Sequence, residues 1–497
     1  MRKPADRPSP ANRYNTGMPE LSQRRRILIL ATCCMSLFIV GIDVTIVNIA
    51  LPTIRRQLHA SVDELQWTVD AYTVVLATLL MLSGSMADRF GRRRVFQLGL
   101  TLFATGSLLC SIAPSAGALI AFRMVQAVGG SMLNPVAMSI IANTFTEPAE
   151  RARAIGVWAG TVGISLALGP VVGGLLLSSS LGWGSIFWIN LPVAFVALVG
   201  TVLFVPESKA PRPRRADPAG QLLIVALFGS LTFAIIEAPE LGWSSGGILA
   251  CFIVAVAALV AIAVYEPRRS DPLLDLRFFA SVPLVGAMTI ALAAFAAIGA
   301  FLFVNTLYLQ DVRGFSPLHA GLLTLPLAGM TVIFGPLSGR LVARRGPRIP
   351  LILGGVGLIT CGLMLTSLTN STSVYYLLAA YTMCGLGFSF VNPPIGNAAM
   401  AGLPLSQSGI AGALNSTSRQ VGSTFGVAIA GSLIAAGLHG TMRSGLAAAS
   451  HGGWWIVAGY GFVVLVLAVA TTGQRALRTA KTTAAKLDPD RLASVPT

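Results

Sequence analysis

Fourteen long apolar runs, separated by short polar connectors, constrain this chain more than any other feature. They lie at about residues 27–51, 65–86, 95–112, 117–143, 155–178, 185–205, 219–239, 247–265, 282–308, 318–339, 350–369, 374–399, 409–436 and 454–473. Most are near the ~20 apolar residues that cross a bilayer as a helix. The runs are continuous rather than alternating, which argues against a strand barrel. Of the 497 residues, 54% are hydrophobic and 11% are charged, whereas a soluble domain carries roughly 25% charged residues. The sequence predicts an all-α membrane protein with fourteen transmembrane helices.

The net charge of +16 invites a nucleic-acid reading, but its distribution excludes one. With the N-terminus placed inside, 29 of the 35 Lys and Arg residues fall in inside segments. Only Arg55, Arg56, Arg313 and Arg443 fall outside, and Arg123 and Arg419 lie within spans. Basic residues that collect at one side of the membrane follow the positive-inside rule. Both termini are therefore expected in the cytoplasm of a multi-pass protein of the cell (inner or plasma) membrane. Residues 1–26, polar and rich in Pro and Arg, resemble a cytoplasmic tail more than a signal peptide. The six cysteines lie in apolar runs without metal-ligand spacing, and the four histidines lie near run ends or in loops. Neither a disulfide nor a metal site is expected.

The chain repeats itself. Gly84-Ser-Met-Ala-Asp88-Arg89-Phe-Gly91-Arg92-Arg93 follows the second run, and Gly339-Arg-Leu-Val-Ala343-Arg344-Arg345-Gly346-Pro-Arg348 follows the tenth. Two related halves around a midplane site are a transporter architecture. The expected organisation is a tail (1–26), a six-helix bundle (27–205), a linker with two extra membrane helices (206–280), a second six-helix bundle (281–473) and a second tail (474–497).

Three further stretches carry chemistry. In Gly41-Ile-Asp43-Val-Thr45-Ile-Val-Asn48-Ile-Ala-Leu-Pro52 an aspartate interrupts an apolar run. A charge at mid-span costs ~2.5–3.5 kcal/mol on insertion scales, so such a residue usually faces a partner or a wet cavity. Arg123-Met-Val-Gln126-Ala-Val-Gly129 buries a guanidinium that cannot shed its charge and needs an acceptor. Ser165-Leu-Ala-Leu-Gly169-Pro170-Val-Val-Gly173-Gly174 combines a helix kink with small residues that permit close packing.

In this order these motifs resemble those of the major facilitator superfamily, in its fourteen-span drug/proton antiporter branch, over residues 27–473. Ala127 and Ser165 depart from the usual glycines, and Ala343 replaces the aspartate in the second loop copy. The resemblance implies roles by position. Asp43 and Arg123 are expected in proton coupling. Gly84, Asp88, Arg89, Gly91 and Arg92, with Gly169, Pro170, Gly173 and Gly174, are expected in conformational gating. Asp88 is expected to dock on the helix N-terminus that follows Gly402–Ser408 in one state.

Other residues are read from position alone. Asp70 suits proton entry, cation binding or a solvated helix end, and Glu237 a surface role. Asn48, Tyr72, Gln126, Phe301, Asn305, Tyr308, Phe388, Asn392 and Arg419 are candidates for a substrate cavity, since apolar pockets with few polar groups suit lipophilic ligands. Arg419 alternatively meets lipid headgroups.

The expected function is proton-driven export of an amphipathic or lipophilic compound, cations included, by alternating access. The alternatives are a proton-coupled uptake carrier, favoured by a short sugar-porter-like Pro206-Glu207-Ser208, or an exporter of a metabolite or lipid. Expected partners are the small-molecule substrate, protons and the bilayer, with the protein as a monomer. No catalytic constellation or phosphate-binding loop is present in the sequence, so neither an enzyme nor a cofactor is expected.

Overall fold

The computed structural model describes residues 22–210, 217–269, 276–400, 408–439 and 441–487. The described residues are almost entirely helical. The first half runs α1 (Gln23–Leu58), α2 (Val62–Phe90), α3 (Arg92–Ser111), α4 (Ala116–Thr144), α5 (Pro148–Leu177), the single turn α6 (Ser185–Trp188) and α7 (Asn190–Phe204). Two helices follow, α8 (Pro218–Leu241) and α9 (Gly246–Tyr265). The second half comprises α10 (Val282–Leu307), the short α11 (Pro317–Leu323), α12 (Leu325–Arg345), α13 (Arg348–Leu365), α14 (Val374–Met400), α15 (Ser408–Gly437) and α16 (Met442–Ala470), and α17 (Gln474–Leu487) closes the described chain.

Among the described residues, 13 helices are long and apolar enough to cross a membrane. The remaining expected span is α3, 20 residues long and so about 30 Å. Its three leading arginines and its Gln97 and Thr101 dilute its apolar character. Boundaries shift where packing overrides hydropathy. α1 extends to Leu58 through Pro52, and α16 begins at Met442, well before the apolar run at 454. The second tail opens as helix α17. Caps define several starts. Ser61 and Glu64 form a reciprocal capping box on α2, satisfying backbone N–H groups that lack helical partners.

The repeat seen in the loops extends to the packing. α1 pairs with α5 and α7, α3 with α4 and α7, and α2 with α4. In the second half α10 pairs with α15 and α16, α13 with α14 and α16, and α12 with α14. These are the same five pairings in two six-helix sets. The halves meet along two seams, α2 against α15 and α5 against α11 and α12.

The ends of α1, α3, α5 and α10 and the starts of α2 and α4 define a distal end of the bundle. The arginine-rich turns near 89–94 and 340–348 define the proximal end. At the distal end the second seam is shut. Gly321 sits against the Pro170 backbone, and a Cβ on Gly174 would lie 2.5 Å from Leu318 Cα. Asp311 Oδ1 and Oδ2 lie 3.4 Å from Arg56 and Arg55, respectively. Gln310 Nε2 donates to Ile49 O (2.7 Å). Midway, a Cβ on Gly163 would reach Val332 at ordinary contact distance, 3.6 Å. Towards the proximal end, Gly156 and Gly160 on α5 and Gly335 and Gly339 on α12 face open space. The glycine contacts of α5 with α11 and α12 thus lie towards the distal end, and the proximal glycines of both helices make none.

The α2–α15 seam differs. Gln66 packs on Gly431, Thr73 Oγ1 meets Thr424 Oγ1 at 2.7 Å, and Met81 packs in the cluster that contains Leu414. The inserted helix α8 contacts both members of this seam. Gln221 Nε2 donates to Thr78 O (2.7 Å), Ser432 Oγ donates to Ile235 O (2.5 Å), and Trp67 Nε1 donates to Glu237 Oε1 (2.7 Å). Glu237 therefore has a specific partner on α2, where the sequence suggested only a surface role.

Candidate functional site

The buried charges of the first half converge where α1, α2, α4 and α7 meet. Arg123 Nη1 lies 2.5 Å from Asp43 Oδ2. The same nitrogen donates to Gln126 Oε1 (2.7 Å), and Nε donates to Thr68 O of α2 (3.1 Å). Arg123 and Gln126 share a helix face because they are three residues apart. Gln126 Nε2 donates to Asp43 Oδ1 (2.8 Å) and to Ser107 Oγ (2.7 Å). Asn190 Nδ2 reaches the same two acceptors at 3.1 Å each. The Tyr72 ring lies 4.1 Å from the guanidinium carbon.

Asp43 and Arg123 are at most 1% exposed. A buried pair is tolerable only when geometry is good and its remaining lone pairs and N–H groups are satisfied. Here both carboxylate oxygens have donors. Asp43 and Arg123, picked out separately in the sequence, thus form one unit, and Gln126 and Tyr72, expected in a substrate cavity, belong to it. Asn190 and Ser107 were not anticipated. The usable signal for Asn190 was a lone amide inside the run at 185–205.

Asp70 differs. Gln66, Asp70 and Thr73 lie four and three residues apart, hence on one face of α2, and the flanking two pack on α15. Asp70 is 0% exposed, and neither carboxylate oxygen has a hydrogen-bond partner. An uncompensated carboxylate away from water carries a large desolvation cost. It is not a solvated helix end.

The gating candidates occupy two places. At the proximal turn, Gly91 adopts φ +110°, and a Cβ there would sit 2.5 Å from Glu207 Oε1. Glu207 in turn accepts from Arg93 N (3.2 Å), so the Pro206-Glu207-Ser208 stretch braces this turn. Asp88 pairs with Arg92 (3.0 Å). Residues 401–407, where Asp88 was expected to dock, lie outside the described residues. Arg89 lies over Phe90 at 5.6 Å, and Gly84 faces open space. The Gly-Pro motif forms a three-helix junction. Gly169 lies against Thr45 and Gly173 against Ile46 and Ile49 of α1, while Gly174 lies against α11. Pro170 lies within α5, and its carbonyl meets Gly321.

The cavity candidates of the second half divide. Phe301 is packed edge-on against Tyr381 and Trp454, Asn305 Oδ1 accepts from Tyr381 Oη, and Tyr308 Oη donates to Thr369 O (2.6 Å). All three are buried, and these partners belong to the second half. Asn48 donates to Val44 O of its own helix (2.7 Å). Phe388 stacks edge-on with Phe295 at 5.1 Å, Arg419 lies over Phe295 at 5.1 Å, and Asn392 Oδ1 has no partner.

Two matching helical halves, thirteen long apolar helices among the described residues and a compensated charge pair deep inside define a multi-span membrane protein of the transporter type. Residues 33–427 match the Major Facilitator Superfamily, and the chain belongs to that family. It is 36% identical over 420 residues to the multidrug resistance protein Stp of Mycobacterium tuberculosis, covering 84% of this chain and 78% of that protein. It is 35% identical over 410 residues to the tetracenomycin C resistance and export protein of Streptomyces glaucescens, covering 82% and 75%. Among solved structures, an inward-facing bacterial homolog of the human lysosomal transporter Spinster superposes with a TM-score of 0.63 at 19% identity. That match covers 94% of this chain and 99% of the other, and shows the fold.

Proposed function

We propose that this protein is a proton-coupled antiporter that exports an amphipathic compound by alternating access. The arginine-rich proximal end is assigned to the cytoplasm by the positive-inside rule, and the structure then corresponds to a state shut outside and widening inside. Relatives named for drug and antibiotic resistance or export support an efflux role over uptake.

The observation that carries proton coupling is Asp70. Among the described residues it is the buried carboxylate with no donor on either oxygen, and it lies in a seam that two moving halves must share. A proton removes the cost of its charge there, and a change of seam geometry that admits water restores it. Asp43, held by Arg123, Gln126 and Asn190, acts as the fixed, compensated partner that ties α1 to α4 and α7.

The test uses inside-out vesicles with an acid interior. Lipophilic compounds are added, and discharge of the gradient is followed for the wild type, Asp70→Asn and Asp43→Asn. Discharge in the wild type that is abolished by Asp70→Asn supports the reading. Discharge that survives Asp70→Asn but not Asp43→Asn moves the proton to Asp43. A wild type that discharges with no compound, while accumulating one in the opposite direction, overturns export.

A further inference from the structure

We infer that Arg419 is an anion-recognition residue, and that the exported compound presents a carboxylate beside an aromatic body. This names the substrate class of the exporter proposed above and rests on that reading. It departs from the cationic substrate that the sequence allowed.

Between residues 276 and 487 the sequence contains one acidic residue, Asp311. Asp311 is held at the distal seam by Arg55 and Arg56. In the first half, Asp43 is bound to Arg123, and Asp70 is sealed in the α2–α15 seam. Arg419 makes no hydrogen bond or ion pair among the described residues, and its Nε is shielded from solvent without an acceptor. A guanidinium cannot relieve this by losing its proton.

The surroundings are built for a ligand. Asn415 and Arg419 lie four residues apart on α15, and Phe388, Asn392 and Gly396 are spaced by four on α14, so each set shares a face. Ring contacts of Phe295 with Phe388 and with the guanidinium draw α10, α14 and α15 together. The oxygens Asn392 Oδ1 and Asn415 Oδ1 also lack partners. Beyond Asn392, Gly396 faces open space. The corner thus offers aromatic faces, an unpaired cation and two amide oxygens without donors, and among the described residues no carboxylate pairs with Arg419. A guanidinium forms its strongest hydrogen bonds with a carboxylate, whereas it repels the charge of an ammonium compound.

Three probes with one apolar body test this: 1-naphthylacetate, 1-naphthylacetamide and 2-(1-naphthyl)ethyl-trimethylammonium. Binding to the full-length protein is measured in phosphatidylcholine nanodiscs, with empty nanodiscs subtracted. The carboxylate is expected to bind about tenfold tighter than the amide, and the ammonium weakest. Arg419→Gln lowers carboxylate affinity to that of the amide and leaves the amide unchanged. The inference is overturned if the wild type binds the ammonium as well as the carboxylate, if it binds none of the three, or if Arg419→Gln keeps the carboxylate preference. Should Arg419→Gln fail to fold, Arg419→Lys decides: a preserved carboxylate-over-amide order supports the inference and a lost order refutes it. Proton discharge is read separately in vesicles. Ordered binding without any coupled movement refutes the exporter reading alone, and coupled export of only the ammonium refutes this inference alone.

Discussion

Removal of the Asp43 charge gives the sharpest test of the site's physics. In Asp43→Asn the side-chain volume is nearly unchanged, but Arg123 stays charged, 1% exposed and without its carboxylate. Charge centres about 4 Å apart attract by about 4 kcal/mol at an effective dielectric of 20. Breaking one side of a buried pair typically costs about 3–5 kcal/mol. The new amide also turns a donor towards Gln126 Nε2 or Arg123, adding a clash of like groups. Arg123→Gln is expected to cost a similar amount, because it leaves Asp43 with only the amides of Gln126 and Asn190. The double variant Asp43→Asn/Arg123→Gln removes both charges and should lie within about 2 kcal/mol of the wild type. Reversible unfolding by SDS in mixed micelles measures all four corners of the cycle. A coupling energy below about 0.5 kcal/mol would mean independent residues, and the reasoning that treats them as one compensated unit would fail.

Two further outcomes follow from the geometry of glycines. Gly91→Ala should destabilise by more than about 1 kcal/mol, since φ +110° disfavours a side chain and Glu207 occupies the space; Gly84→Ala, facing open space, should change stability by less than about 0.5 kcal/mol, and equal effects in thermal unfolding would contradict the structure. Gly174→Leu places a side chain where Leu318 Cα lies 2.5 Å from the would-be Cβ, so it should part the distal seam; a label on Ala320→Cys, buried on α11, should then react several-fold faster, and an unchanged rate would argue that the seam is not shut at α11.

Much of the architecture was legible because the bilayer reduces the choices. Continuous apolar runs such as 247–265 have one stable answer, a helix, and their arginine-rich connectors set the orientation expected for them. Less was legible where tertiary contact decides. Nothing in the run at 185–205 announces the break between α6 and α7 at Ile189, or that Asn190 turns to Asp43. In the run at 318–339, Pro326 marks the start of α12 after Thr324, but nothing there shows that α11 lies across Gly174. Site residues were found when their cost was visible: Asp43 and Arg123 are expensive in an apolar run, so their pairing is foreseeable in kind. Polar but uncharged Gln126 carries no such signal, and neither does the orientation of Tyr72, whose ring lies beneath the guanidinium. Conversely, the aromatic run Phe301–Tyr308 looked like a pocket lining and is instead packing, because ring area is equally useful in a core.

The two seams are unequal, and this has a mechanical consequence. Along α2 and α15, braced by α8, the halves touch from Gln66 to Met81, whereas α5 and α12 diverge. Under the alternating access proposed above, halves joined in this way would not slide apart in parallel; one would swing on the other like the covers of a book, with α2, α8 and α15 as the spine. Displacement then grows with distance from the spine. A sub-ångström adjustment beside Thr73 and Thr424 translates into a much wider excursion at Gly156 and Gly335. The inserted helix α8 is therefore a binding along the spine, and its contacts with Thr78 and Ser432 would limit how far the far edges travel.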